Sequence, residues 1–259
     1  MSSKSPVYAV ADAYVAKYAE LDPVSATMLG IEGYNDRMTD YSQEGVEAQY
    51  MLTMSTLTQL SAAENKGERD RIAKELIRER LGVTAELHRA KEHFRGLNIL
   101  TSPLQMVRMC FDLMPRKTRD EWSDIAQRSS LVPAGIESYR RLLHDGVQQN
   151  LTSARRQALS CAAQAEAWAG AGGKPSFFIK LLDSYDATRI SDPALRGRLE
   201  GGAAAASDAY AEMAKYLRDT YAPASPEQDG IGPERYRLYS LGYNGTELDF
   251  EDTYAWGWE

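Results

Sequence analysis

Three histidines are the residues whose chemistry points most directly to metal binding. His88 and His93 lie on one predicted helix with Glu92 between them, whereas His144 stands alone in LLHDG near a predicted helix end. A zinc pair on a helix needs a spacing of about four residues, because five residues rotate the second ring roughly 140° away at about 3.6 residues per turn. The spacing therefore predicts structural histidines and no metal site in this chain.

Other motifs of catalytic or nucleotide chemistry are incomplete. The stretch WAGAGGKP has Trp168 where a phosphate loop needs glycine, and Pro175 where it needs serine or threonine. The sequence has neither a GxSxG nucleophile elbow nor an Asp-rich calcium loop. Cys110 and Cys161 are far apart, which indicates two buried thiols rather than a disulfide framework or a CxxC pair. We predict no catalytic residue in this chain.

Aromatic residues crowd the last 24 residues of the sequence. They are Tyr236, Tyr239, Tyr243, Phe250, Tyr254, Trp256 and Trp258. Aromatic residues make up 9% of the whole chain, so this density indicates a large surface that something must cover. The segment from Asp249 onward has the pattern of a helix without a glycine cap, a basic last turn or a polar tail, which is typical of a truncated protein.

Helix signals recur along the chain, while the period-two alternation of strands is rare, so the fold is predicted to be all-α. A long helical hairpin is predicted from Ser42, with the NKG turn at 65–67 and a second arm that carries Ile72, Leu76 and Phe94 at helical spacing. The remaining predicted helix starts are Ser5-Pro6, Asp22-Pro23, Ser102-Pro103, Thr118-x-x-Glu121, Val132-Pro133, Thr152 or Ser153, and Asp192-Pro193. We expect about nine or ten helices in a single domain that spans residues 1–259.

Composition and charge exclude several classes of function. The chain is 43% hydrophobic and 26% charged, as in ordinary globular proteins. Its net charge is -7 and its basic residues are interspersed with acidic ones, so no nucleic acid partner is expected. The start MSSKSPVYAVADAYV lacks the apolar core of a signal peptide, and no window approaches about 18 consecutive apolar residues. We therefore predict a cytoplasmic protein without a membrane partner.

Four blocks of the sequence carry a resemblance to a known family. They are DPVSATMLGIEGYNDRMTDYS at 22–42, NILTSPLQMVRMCFDLMP at 98–115, DGIGPERYRLY at 229–239 and LDFEDTYAWGWE at 248–259. In this order they resemble the bacterial domain-of-unknown-function family 885, which belongs with the helical zinc peptidases of the HExxH type. The resemblance covers essentially the whole chain.

The resemblance implies where the chemistry of the complete protein lies. Family members are much longer, and their metal-binding motif, of the type H-E-x-x-x-G-H, lies in the half that would follow Glu259. That motif does not occur in this sequence, so no metal ligand is carried over, and zinc is implied only for the complete family protein. The family also implies that two segments approach the substrate cleft. The cleft candidates are Asp229, Arg235, Tyr236, Tyr254 and Trp256.

The resemblance leads to one hypothesis of function, and the aromatic end supports a second. In the first, the chain is the non-catalytic N-terminal portion of a zinc-dependent peptidase-like hydrolase, forms one wall of the substrate cleft and is inactive alone. Its partner would be a C-terminal catalytic half, or a second copy bound through the aromatic end. In the second, the chain is a free-standing helical binding or interaction module without catalytic activity.

Overall fold

The computed structural model describes residues 5–259, and no strand occurs among them. The all-α prediction is confirmed, with eleven α-helices in the described residues where nine or ten were expected. They are α1 (Pro6–Leu21), α2 (Pro23–Met28), α3 (Gln43–Ala62), α4 (Glu68–Arg89), α5 (Pro103–Leu113), α6 (Arg119–Gln148), α7 (Arg155–Ala169), α8 (Phe177–Asp186), α9 (Pro193–Tyr216), α10 (Pro233–Asn244) and α11 (Phe250–Trp256). The N-terminal segment used to predict localisation begins at Met1, so its first four residues lie outside the described residues.

The chain forms two compact units. Unit 1 takes in the described residues up to Ala16, together with Gln49–His93 and Gly230–Glu259, and so contains α4, α10, α11 and most of α1 and α3. Unit 2 takes in Lys17–Ala48 and Phe94–Asp229, and so contains α2 and α5 to α9. The single domain expected over residues 1–259 stays a prediction.

Unit 2 holds the large hydrophobic core, built mainly from α5 to α9. Trp122 on α6, Phe178 on α8 and Tyr210 on α9 are fully buried in it. Helix α9 approaches α6 closely at Gly202, where an added Cβ would lie 2.9 Å from the Cβ of Ser129. The small residue therefore sets the distance at which these two helices pack.

The helix start predicted at Val132-Pro133 is wrong, because Pro133 lies inside the continuous helix α6. Proline inside a helix costs about 3 kcal/mol, since it removes one backbone hydrogen bond and its ring crowds the preceding turn. Here Val132, Ile136 and Tyr139 bury one face of the same stretch almost completely. Burial of such side chains contributes about 1.5 to 3 kcal/mol each, which outweighs the cost of the proline.

A buried arginine organises the first of the four family-like blocks within unit 2. Arg128 is completely buried, and its guanidinium donates to the backbone carbonyls of Pro23 at 3.2 Å, Tyr34 at 2.5 Å and Arg37 at 2.9 Å. It also donates to Thr27 Oγ1 at 2.8 Å. A buried guanidinium needs its donors satisfied, so this loop and Arg128 stabilise each other.

Unit 1 contains the predicted hairpin of α3 and α4, but it buries few side chains. Its buried hydrophobic residues, within the described part of the chain, are Val7, Leu60, Leu81, Val83 and Ala85. Ile72 and Leu76 on α4 follow the helical spacing of the sequence, yet they are 53% and 59% exposed. Phe94, placed on the second arm, lies beyond the end of α4 in the 3₁₀ turn Glu92–Arg95. The apolar stripe that the sequence predicts on α4 is therefore largely exposed.

Candidate functional site

The five cleft candidates do not all belong to the same unit. Asp229 is the last residue of unit 2, where its carboxylate pairs with Arg156 at 2.7 Å from Oδ2 to Nε. Arg235 and Tyr236 lie on α10 of unit 1, and Tyr254 and Trp256 lie on α11 of the same unit. Four of the five candidates therefore lie in unit 1.

A buried carboxylate on unit 1 binds two side chains of α10. The side chain of Glu92 is only 3% exposed and accepts from Arg235 Nε at 2.8 Å and from Arg235 Nη2 at 2.7 Å. Tyr239 donates its hydroxyl to the same carboxylate at 3.0 Å. Paired N–H donors on a carboxylate form the strongest type of ion pair in proteins, so this contact fixes α10 in position.

The electrostatics of this cluster favour a charged arginine and a protonated tyrosine. Partial burial by itself lowers the pKa of Arg235, but the hydrogen bond and negative charge of Glu92 outweigh burial and raise it above the usual value. Burial raises the pKa of Tyr239 to about 12, and the Glu92 charge acts in the same direction. At neutral pH the guanidinium of Arg235 is therefore charged, and the phenol of Tyr239 is neutral.

Local sequence explains how the cluster is presented. Gly232, with a φ of 79°, precedes Pro233, which occupies the first turn of α10. Arg235 and Tyr239 are four residues apart, so they share one face of that helix. Glu92 lies in the 3₁₀ turn that follows α4, 143 positions earlier in the sequence. Sequence reasoning missed Glu92 and Tyr239, and only the four-residue spacing on α10 could have indicated the tyrosine.

A shallow groove of about 330 Å³ lies between α4 and α10 beside this cluster. Its walls are Val83, Leu87 and the rings of Tyr239 and Tyr243, and Arg80 stands at its edge. Arg80 Nη1 donates to the carbonyl of Gly242 at 2.6 Å, which satisfies one free carbonyl at the end of α10. The groove is therefore a mainly apolar recess.

The aromatic end is exposed. Helix α11 contains no buried residue, and Tyr254, Trp256 and Trp258 are 69%, 75% and 78% exposed. Its contact with α10 includes the edge-to-face pair of Tyr236 and Phe250, whose ring centroids are 4.9 Å apart. Asp249 accepts from two backbone amides at the start of α11, as the sequence predicts. The prediction that this helix has no glycine cap is wrong, because α11 ends at Trp256 and Gly257 occupies its C-cap position.

The expected separation of His88 and His93 is wrong. Their rings stack at 4.6 Å between centroids, and His88 also stacks on Tyr50 at 4.0 Å. A spacing of five residues separates two rings only when both lie on one continuous helix. Here α4 ends at Arg89 and Lys91 adopts a φ of 59°, which turns the chain back. Burial, followed by the charges of His88 and Lys91, lowers the pKa of His93 to about 4.

Zinc does not fit the side chains that the structure describes. Among residues 5–259, no group of three or more histidine, cysteine, aspartate or glutamate side chains could hold a metal ion. Structural and catalytic zinc sites need three or four converging ligands. Cys110 and Cys161 are both buried, and burial raises the pKa of each thiol to about 11, as expected of inert core cysteines. That the chain binds no zinc stays a prediction.

Among the helices in the described part of the chain, none combines the length and the apolar composition that are needed to cross a bilayer. The cytoplasmic localisation stays a prediction.

Comparison with known proteins identifies the family of the chain and solved structures with a similar fold. The model of a family described as "Bacterial protein of unknown function (DUF885)" matches residues 23–259. No curated protein matches the chain. Among solved structures, one described as "the putative lipoprotein from Colwellia psychrerythraea" is similar, with a TM-score of 0.73 and 12% identity. The match covers 95% of this chain and 47% of that chain, so this chain spans about half the length of its fold relative.

Proposed function

Since this chain belongs to the bacterial family DUF885, we propose that it is the non-catalytic N-terminal portion of a zinc-dependent peptidase-like hydrolase. The observation that carries the proposal is the exposed aromatic helix α11 on a chain half as long as its fold relative. An isolated helix of seven residues is unstable in water, and this one packs little of its surface against its own chain. Both facts fit a portion of a larger fold. The hydrolase assignment comes from the resemblance of the family to helical zinc peptidases.

In this proposal, unit 1 supplies one wall of the substrate cleft. Tyr236 is 54% exposed and stands beside Arg235 on α10, which makes it the substrate-side group we favour. One edge of the Arg235 guanidinium, with its Nε and Nη2 donors, is already used by Glu92. Arg235 therefore acts as a positioning residue that holds α10, and thereby Tyr236, in place.

The metal chemistry is assigned to the other portion of the complete protein. In a zinc hydrolase, the ion supplies a bound water that a glutamate activates for attack on a peptide carbonyl. The described residues of this chain do not suit that ion, so its ligands and its chemistry belong elsewhere. What this chain contributes is binding, orientation and exclusion of water along its wall of the cleft.

Reconstitution tests the proposal. The chain and a polypeptide that covers the rest of a closely related DUF885 protein are purified separately and mixed with zinc. We expect zinc retention and hydrolysis of fluorogenic peptides by the mixture, a higher rate than the second polypeptide gives alone, and no hydrolysis by this chain alone. A complex that neither retains zinc nor hydrolyses peptides would contradict the hydrolase assignment and support the binding-module alternative. Hydrolysis by this chain alone would contradict its non-catalytic role.

A further inference from the structure

We infer that residues 246–259, here named the docking segment, bind a basic and apolar surface of a second polypeptide. The inference rests on the proposed function, because the occupant is the other portion of the hydrolase proposed above. It adds to that function the place of contact and the chemistry of the partner. Tyr254 and Trp256 then serve the contact between the two portions rather than the substrate.

Exposure on all sides of α11 is the first observation. Tyr254 and Trp256 are two residues apart on the helix, so they point in widely different directions, yet both are more than two-thirds exposed. A surface helix normally buries one apolar stripe and exposes a polar one. A helix that exposes aromatic rings in several directions fits a recess in a partner better than a flat contact.

The area available is close to what an interface needs. The exposed fractions of Tyr243, Tyr254, Trp256 and Trp258 run from 69% to 85%. Aromatic side chains bury roughly 150 to 250 Å² each, so these four rings offer about 450 to 750 Å² before other atoms are counted. A stable interface of ordinary size buries about 800 Å² per partner. The docking segment and the neighbouring groove can supply that area.

The charge of the segment indicates the chemistry of the partner. It contains five carboxylate side chains and no lysine or arginine: Glu247, Asp249, Glu251, Asp252 and Glu259. Of these, Glu247 pairs with Arg237 at 2.8 Å, and Asp249 accepts from two backbone amides. The others stand among exposed aromatic rings. A complementary surface therefore combines apolar side chains with lysine or arginine.

The same charges disfavour a second copy of this segment as the occupant. A twofold interface between two docking segments would bring carboxylates of both copies together, and like charges at an interface are repulsive. The fold relative offers another occupant, because more than half of its chain lies outside the region that this chain matches. We therefore commit to that remaining portion as the partner.

Binding of substituted chains to the remaining portion of a closely related DUF885 protein tests the inference. The double variant Trp256→Ser with Trp258→Ser should raise the dissociation constant at least about 30-fold, as expected for central aromatic anchors. The double variant Glu251→Lys with Asp252→Lys should weaken binding about tenfold in low salt, and high salt should reduce that difference. Isothermal titration calorimetry measures both.

Matched controls separate docking from folding. Tyr8→Ser removes a 42% exposed aromatic ring elsewhere on unit 1. Asp208→Lys with Glu212→Lys reverses two exposed charges on α9. Both controls should change the dissociation constant less than about threefold, since single surface contacts outside an interface contribute nothing to binding. The midpoint of thermal unfolding should be unchanged in the variants of the docking segment, because the side chains that they replace are exposed.

The outcomes also separate this inference from the proposed function. If the mixture hydrolyses peptides but the tryptophan and charge-reversal variants bind as well as the controls, the docking surface is wrong and the function stands. If the variants weaken binding and the complex has no zinc or activity, the docking surface stands and the hydrolase is wrong. Self-association of this chain that the tryptophan variant abolishes, without binding of the second polypeptide, would overturn the chosen occupant.

Discussion

Glu92→Gln should destabilise unit 1 by removing the buried charge that Arg235 and Tyr239 bind. The substitution keeps the size of the side chain and one oxygen acceptor, but it replaces a carboxylate oxygen with an NH₂ group. That group cannot accept the hydrogen bonds that this oxygen receives. Arg235 donates to both oxygens of Glu92, so in either orientation of the amide one N–H of Arg235 is left facing the NH₂ group, in a site where Glu92 is only 3% exposed.

The magnitude follows from burial. Breaking a buried ion pair by removing one partner costs about 3 to 5 kcal/mol, because an uncompensated charge remains. The side chain of Arg235 is 29% exposed, so water can solvate part of the guanidinium and the cost falls toward the lower end. We expect Glu92→Gln to lower the free energy of unfolding by about 2 to 3 kcal/mol. Such a loss is large beside a total stability of about 5 to 15 kcal/mol.

Urea unfolding followed by circular dichroism measures this loss, and hydrogen exchange of the α10 amides locates it. The matched control is Glu247→Gln, which breaks the ion pair of Glu247 with Arg237 on the outer surface of the same helix. Those side chains are 70% and 58% exposed, so the control should cost less than about 0.5 kcal/mol. Equal losses for Glu92→Gln and Glu247→Gln would refute the claim that the buried cluster holds α10.

Further predictions concern pH, the core and metal. The pKa of His93 is about 4 in the folded chain and about 6.5 in the unfolded chain. The contribution of His93 to the free energy of unfolding is therefore complete above pH 6.5, and it is lost as the pH falls from 6.5 to 4. This loss of free energy of unfolding should stay below about 2 kcal/mol, because the ring is only half-buried. It should be absent in His93→Gln, and urea unfolding at several pH values measures it. Arg128→Met should cost at least about 3 kcal/mol in urea unfolding, since it leaves buried carbonyls without donors; a cost below 1 kcal/mol would contradict this. Elemental analysis of the dialysed chain should find no stoichiometric zinc, and one tightly held ion per chain would show converging ligands that we have not identified.

Local signals in the sequence predicted most of the helix starts. Thr118 and Glu121 form the expected capping box at α6, and Asp192 caps α9 by accepting from Leu195 N at 3.0 Å. Gly170, with a φ of 97°, ends α7 as its sequence indicates. Such signals act within one turn of a helix, so they can be recognised without the rest of the fold.

Features set by distant residues could not be predicted in this way. The burial of one face of α6 overrides the break expected at Pro133. The stacking of His88 on His93 depends on the point at which α4 ends. Glu92 and Arg235 are 143 positions apart, so neither identifies the other from sequence. The exposure of Trp256 could not be predicted either, because a high density of aromatic residues is typical of a hydrophobic core as well as of an interface.

Deletion of the docking segment tests the central claim most directly, namely that the aromatic end belongs to a contact with another polypeptide and not to this chain's own core. A chain that ends at Gly245 keeps the left-handed glycine that caps α10, whose amide donates to Leu241 at 2.9 Å. It loses no buried residue of α11, because that helix has none. We predict an unchanged midpoint of thermal unfolding and little loss of helical signal. Cooperative unfolding of the shortened chain would contradict the account, because it would show that these aromatic residues stabilise the chain's own fold.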